Sequence, residues 1–106
     1  MDTRQYNEYK NQLLKAGYKY YPDEPYDGRN TWMKFIVKTE KRKAFIRLDE
    51  YLHTDPDTGK KDYRFYAQGI VRDDDCDVVL TIKFSQLNVN DMERSVNDYY
   101  NRLFND

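Results

Sequence analysis

The chain is poor in the residues from which most small sites are built: one cysteine, one histidine, four glycines and three prolines among 106 residues. A lone Cys76 excludes a disulfide within the chain and points to a reducing compartment. A lone His53 leaves Ser85 and Ser95 without a general base at a workable spacing. Gly17, Gly28, Gly59 and Gly69 are too scattered to form a phosphate-cradling loop. No apolar run approaches the length of a membrane span. The start, Met1-Asp2-Thr3-Arg4-Gln5, has no signal-peptide pattern, so a soluble cytoplasmic protein is expected. Neither sign of charge dominates: 18 basic and 19 acidic residues give a net charge of −1. That balance excludes a strongly acidic nucleic-acid mimic and a strongly basic coat protein, and leaves the distribution of charge as the informative quantity.

What the chain does have is tyrosine. Eleven tyrosines bring the aromatic content to 16%, too high for a disordered chain even with 35% charged residues. Tyrosine suits positions with one apolar side and one wet end, which are common on sheets and at interfaces. The length predicts a single domain over residues 1–106.

Four consecutive stretches alternate with period two: Trp32–Lys38, Lys43–Leu52, Asp62–Arg72 and Asp77–Ser85. Taking every second residue from Met33, Ala44, Tyr63 and Val78 collects seventeen positions, of which all but Glu50 and Gly69 are apolar or aromatic. Alternation held through four segments predicts one antiparallel sheet with one buried face. Simple hairpins would pair Val37 with Ile46, Phe35 with Leu48 and Val71 with Val78. Asp55-Pro56-Asp57-Thr58-Gly59 is a strong turn signal between the second and third strands. Tyr18 and Tyr20 could add a short edge strand.

Helical spacing of Tyr6, Tyr9, Leu13 and Ala16 predicts a helix over 3–16, capped by Asp2 or Thr3 and stopped by Gly17. Met92, Val96, Tyr99, Tyr100, Leu103 and Phe104 predict a second over 91–104, with Asn90 and Glu93 as a capping box. Two amphipathic helices need one apolar face. The expected fold is therefore an α+β two-layer sandwich, a four-stranded antiparallel meander with both terminal helices on one side. Glu50, the acid on the apolar face, is expected past the rim of the core, and Gly69 at a bulge or a close helix approach.

That arrangement leaves the other sheet face open. On the predicted parity it carries seven cations (Lys34, Lys38, Lys43, Arg47, Arg64, Arg72, Lys83) against Asp49, Asp62 and Asp77, with Trp32, Phe45, Tyr51 and Tyr66 interleaved. Trp32, Lys34, Phe45, Arg47, Tyr51, Arg64, Tyr66 and Lys83 are the candidate partner-binding residues. Aromatic and arginine side chains concentrate binding energy at protein interfaces. The same mixture could stack single-stranded bases and track phosphates, although Asp62–Ala67 lacks the glycine spacing of RNA-recognition motifs. Exposed strands also favour such residues for sheet stability alone.

No motif predicts catalysis, a cofactor or a metal. Asp55–Gly59 departs from a calcium loop, its glycine one position early and no glutamate following. Asp73, Asp74, Asp75 and Asp77 read as a solvated turn, and they disfavour the Cys76 thiolate. His53 could be oriented by Asp55 but has no nucleophile to serve. The expectation is a small non-enzymatic protein acting through protein–protein contacts. An inhibitor, immunity or accessory protein of a phage or mobile element is the type it fits. The sheet face or the acidic Pro22–Gly28 loop would make the contact. A nucleic-acid-binding module and a homodimer are the alternatives.

Overall fold

The computed structural model describes residues 1–22, 30–73, 75 and 77–104. The element order is α1 (Thr3–Lys15), β1 (Lys19–Tyr21), β2 (Asn30–Lys38), β3 (Lys43–Thr54), β4 (Lys61–Arg72), β5 (Val78–Phe84) and α2 (Val89–Phe104). The sheet is an antiparallel meander in the order β1-β2-β3-β4-β5, one strand more than the periodicity predicted. The extra strand is the short tyrosine segment, which pairs Tyr20 with Trp32.

Local chemistry sets the helix ends. Asp2 accepts the Gln5 amide at 2.8 Å while the Gln5 side chain accepts the Asp2 amide at 3.1 Å, a reciprocal capping box. Gly17, at φ 93°, turns the chain out of α1, and the Tyr18 amide closes back on the Leu13 carbonyl at 3.0 Å. In α2 the cap is Asn88 rather than Asn90, because its side chain accepts the Asp91 amide at 3.0 Å.

Both helices lie on one sheet face. Tyr6 and Tyr9 of α1 meet the ring of Phe65, and Val96 of α2 lies over Gly69, which shares the Phe65 side of β4. Between them are the buried Ala44, Ile46, Leu48, Ala67 and Val71 that the alternation assigned to the core.

Three expectations about register fail. Val37 pairs with Ala44 as a core position should, but the ladder shifts between Phe35 and Val37, leaving Ile36 as an extra residue. Upstream of that bulge the parity inverts: Trp32 pairs with Leu48 and Lys34 with Ile46, while Met33 and Phe35 turn to the opposite face beside Arg47 and Phe45. A second irregularity at the end of β4 pairs Val71 with Leu80 and moves Val78, 52% exposed, opposite Arg72. Leu52 and Tyr63 lie where β3 and β4 outrun β5 and are exposed rather than core.

Glu50 corrects a fourth expectation, since it is buried. Its carboxylate accepts Tyr6 Oη at 2.8 Å, Asn30 Nδ2 at 2.7 Å and Trp32 Nε1 at 3.1 Å. All three donors are neutral, so among the described residues the Glu50 carboxyl group is held by hydrogen bonds and not by a cation.

The buried tyrosines set the alkaline limit of the fold. Burial pushes the Tyr6, Tyr9 and Tyr18 hydroxyls above their ordinary range; Glu50 adds to this at Tyr6, and Glu93 at Tyr18. A pKa raised in the folded state contributes stability that is complete below the unfolded value near ~10 and is lost as pH climbs past it. Three such groups together steepen the loss to roughly 4 kcal/mol per pH unit. Melting temperature should hold steady to about pH 9 and fall steeply above about pH 10. Ultraviolet difference absorbance should show these phenols ionising only with unfolding.

Candidate functional site

Among the described residues no helix or strand packs on the second face of the sheet. Cross-strand partners share a face, so the ladder reads out its rows directly. Met33, Arg47, Gln68 and Lys83 form one row across four strands, and Phe35, Phe45, Ile70 and Thr81 form the next. Tyr51 pairs with Arg64, and Lys43 lies between Lys38 and Arg72.

Six of the eight candidate residues are on this face: Phe45, Arg47, Tyr51, Arg64, Tyr66 and Lys83. Trp32 and Lys34 are on the helix side instead. Trp32 is 3% exposed and holds Glu50; the Lys34 ammonium is paired with Glu93 of α2. The bulge at Ile36 put them there, and alternation carries no signal for a bulge.

Most cations of the open face are held in place. Arg47 Nε donates to Asp49 at 3.1 Å, and the same carboxylate accepts Thr31 Oγ1 at 2.7 Å. The Lys38 ammonium sits 4.7 Å from the Phe35 ring centre, Lys83 5.1 Å from Tyr66, and the Arg72 guanidinium 5.7 Å from Phe45. Such contacts contribute little each at exposed sites, about 0.5–1 kcal/mol, but they fix where the charges stand. Phe45 is buried at 6% exposure, tilted against Phe35, and offers no free ring face. Phe35 and Tyr51 remain exposed.

Asp62 is the hub at the far end. It accepts the Met1 ammonium at 3.0 Å and Arg64 Nε at 3.1 Å, and His53 Nδ1 lies 3.3 Å away. The Met1 ammonium foremost, then Arg64 and His53, lower its carboxyl to about 2. His53 is therefore paired with Asp62 rather than Asp55, which caps its own turn by accepting the Asp57 and Thr58 amides. Asp73, Asp75 and Asp77 bring carboxylate oxygens within 4.8 Å of one another, but at the opposite end of the β3–β4 ladder from His53. Two of the Asp73 contacts are the amides of Asp75 and Asp77, as in a capped turn. Cys76 and Asp74 lie outside the described residues, as does the Asp23–Gly28 part of the acidic tyrosine loop.

One feature was missed by sequence reasoning. A groove of about 410 Å³ opens between α1 and the β1–β2 edge, lined by Asn7, Lys10, Asn11, Leu14, Tyr20 and Trp32. The helical spacing of the first four was visible, but their meeting with Tyr20 and Trp32 depends on the β1–β2 pairing. Among the described residues no histidine, cysteine or carboxylate lines it. No helix among the described residues is long and apolar enough to cross a membrane. No family model matches the chain, and comparison with curated proteins and with solved structures likewise finds no match.

Proposed function

We propose that this chain is a small non-enzymatic binding protein that engages an acidic protein surface through the open face of its sheet. The observation that supports this is the pairing of exposed Phe35 and Tyr51 with cations already ordered by neighbouring rings and carboxylates. Preordered arginine and tyrosine side chains lose little entropy on binding, which is what makes them interface anchors. The tilt and burial of Phe45 weigh against base stacking, which needs accessible ring faces.

The test is affinity capture from cell extract with the natural protein and with a Tyr51→Ala/Arg64→Glu/Lys83→Glu variant. A defined acidic protein should be held by the first and bind the second at least roughly tenfold more weakly, as for loss of interface anchors. Alongside it, labelled single-stranded RNA and double-stranded DNA are titrated at low and moderate salt. Tight binding that falls steeply with salt and disappears in the variant would replace this reading with the nucleic-acid one.

A further inference from the structure

β1 pairs with β2 only at Thr31, Trp32 and Met33, so beyond Met33 one edge of β2 has no strand beside it among the described residues. A notch of about 350 Å³ opens there, between Lys19 and Tyr21 of β1 and Met33, Lys34, Phe35 and Lys38 of β2. Its apolar wall owes its position to the bulge, since the extra residue at Ile36 turns Met33 and Phe35 outward. Bulges recur beside functional sites because they re-aim side chains. Phe35 and Tyr21 stay 39% and 40% exposed, an apolar surface that the described residues leave uncovered. The charge of the notch is of one sign: three lysines line it and, among the described residues, no carboxylate does. Lys34 is already neutralised by Glu93. Lys19 and Lys38 have no acidic partner among the described residues, and Lys38 rests on the Phe35 ring.

Resting on the reading of the open face given above, we propose that this notch seats an acidic segment of the protein partner. An apolar side chain of that segment lies over Met33 and Phe35, and an acidic residue on either side of it meets Lys19 or Lys38. The placement of the two ammoniums argues for a peptide. Lys19 stands opposite Met33 across the ladder, whereas Lys38 lies past Phe35 toward the end of β2, so the cations flank the apolar wall at its two ends. A small apolar anion carries charge at one end and satisfies one of them. An extended chain with acids flanking an apolar residue satisfies both. The flexible Met33 thioether lets the wall adapt to the side chain it receives. The apolar anchor supplies most of the affinity, and the charge pairs at the rim set orientation and the speed of encounter.

The test titrates the capped peptide acetyl-Asp-Glu-Phe-Glu-Asp-amide into the isotope-labelled full chain at low salt and follows backbone amide shifts by NMR. The same peptide with alanine for its phenylalanine, and sodium octanoate, are titrated beside it. Shifts should saturate and cluster at Lys19, Met33, Phe35 and Lys38. The alanine peptide should bind at least roughly tenfold more weakly, as for loss of an anchor. Lys19→Glu/Lys38→Glu should weaken the phenylalanine peptide by a similar factor; both side chains are exposed, so the fold is retained, as circular dichroism will check. The Tyr51→Ala/Arg64→Glu/Lys83→Glu variant should still show shifts at the same four residues, which separates the notch from the rest of the open face. Equal binding of the two peptides overturns the proposal, as does binding that survives Lys19→Glu/Lys38→Glu or an absence of shifts at the notch; none of these touches the capture experiment on which the open-face reading stands. Octanoate binding as tightly as the phenylalanine peptide overturns it in favour of a small apolar anion.

Discussion

Replacing Glu50 with alanine should cost about 2–6 kcal/mol of stability in urea or thermal denaturation. Tyr6 and Trp32, 8% and 3% exposed, would each lose their acceptor inside the protein, and each orphaned buried donor costs about 1–3 kcal/mol. The isosteric Glu50→Gln is more informative. Its amide oxygen can still accept Tyr6 and Asn30, but its NH2 group would then point at the Trp32 N–H, donor against donor. That single conflict predicts a loss of about 1–3 kcal/mol, with Tyr6 held and Trp32 released. Trp32 fluorescence should report the difference. A silent Glu50→Gln would mean that the carboxylate charge and the indole bond contribute nothing to the fold.

Gly69→Ala should be destabilising although alanine is ordinarily the better strand residue. A Cβ there would lie 2.6 Å from Val96 Cγ2 and 3.1 and 3.2 Å from two atoms of the Phe84 ring. Val96 is fully buried on α2, and a β-branched side chain in a helix has essentially one rotamer, so it cannot swing away. Overpacking of this kind costs about 1–3 kcal/mol, roughly 4–8 °C in melting temperature for each kcal/mol in a domain of this size. Val96→Ala alone opens a cavity and also destabilises. The double variant Gly69→Ala/Val96→Ala should be more stable than the sum of the single losses. Additive losses would show that the helix is not seated on this glycine.

Alternation along the strands was enough to place Ala44, Ile46, Leu48, Phe65, Ala67 and Val71 in the core, and the two helical stripes were enough to say that one sheet face is covered. In β2 the same reasoning misled. Trp32–Lys38 reads as a fair strand in either parity, and only the inserted Ile36 decides that Trp32 goes in and Phe35 goes out. A bulge is a property of two strands and has no signature in one. Glu50 was put on the correct face and then placed past the rim of the core because it lies one step from the predicted strand end. The donors that make its burial tolerable come from Asn30, Trp32 and Tyr6, the last of them 44 residues away. The open face was legible as a location, but the burial of Phe45 and the removal of Lys34 to Glu93 depend on packing that no local pattern encodes.

Every strand pairs with its neighbour in sequence, whereas the Tyr9 hydroxyl reaches the Leu87 carbonyl, 78 residues on, at 2.7 Å. On a ribosome the hairpins can close as they emerge, but α1 must wait for its acceptor. At ~5–20 residues per second that bond waits about 4–16 s, while Glu50 and Phe65, which meet Tyr6 and Tyr9, are made sooner. The first helix to be made is thus seated in stages, and until the chain reaches Phe65 its apolar stripe is the surface a chaperone would meet.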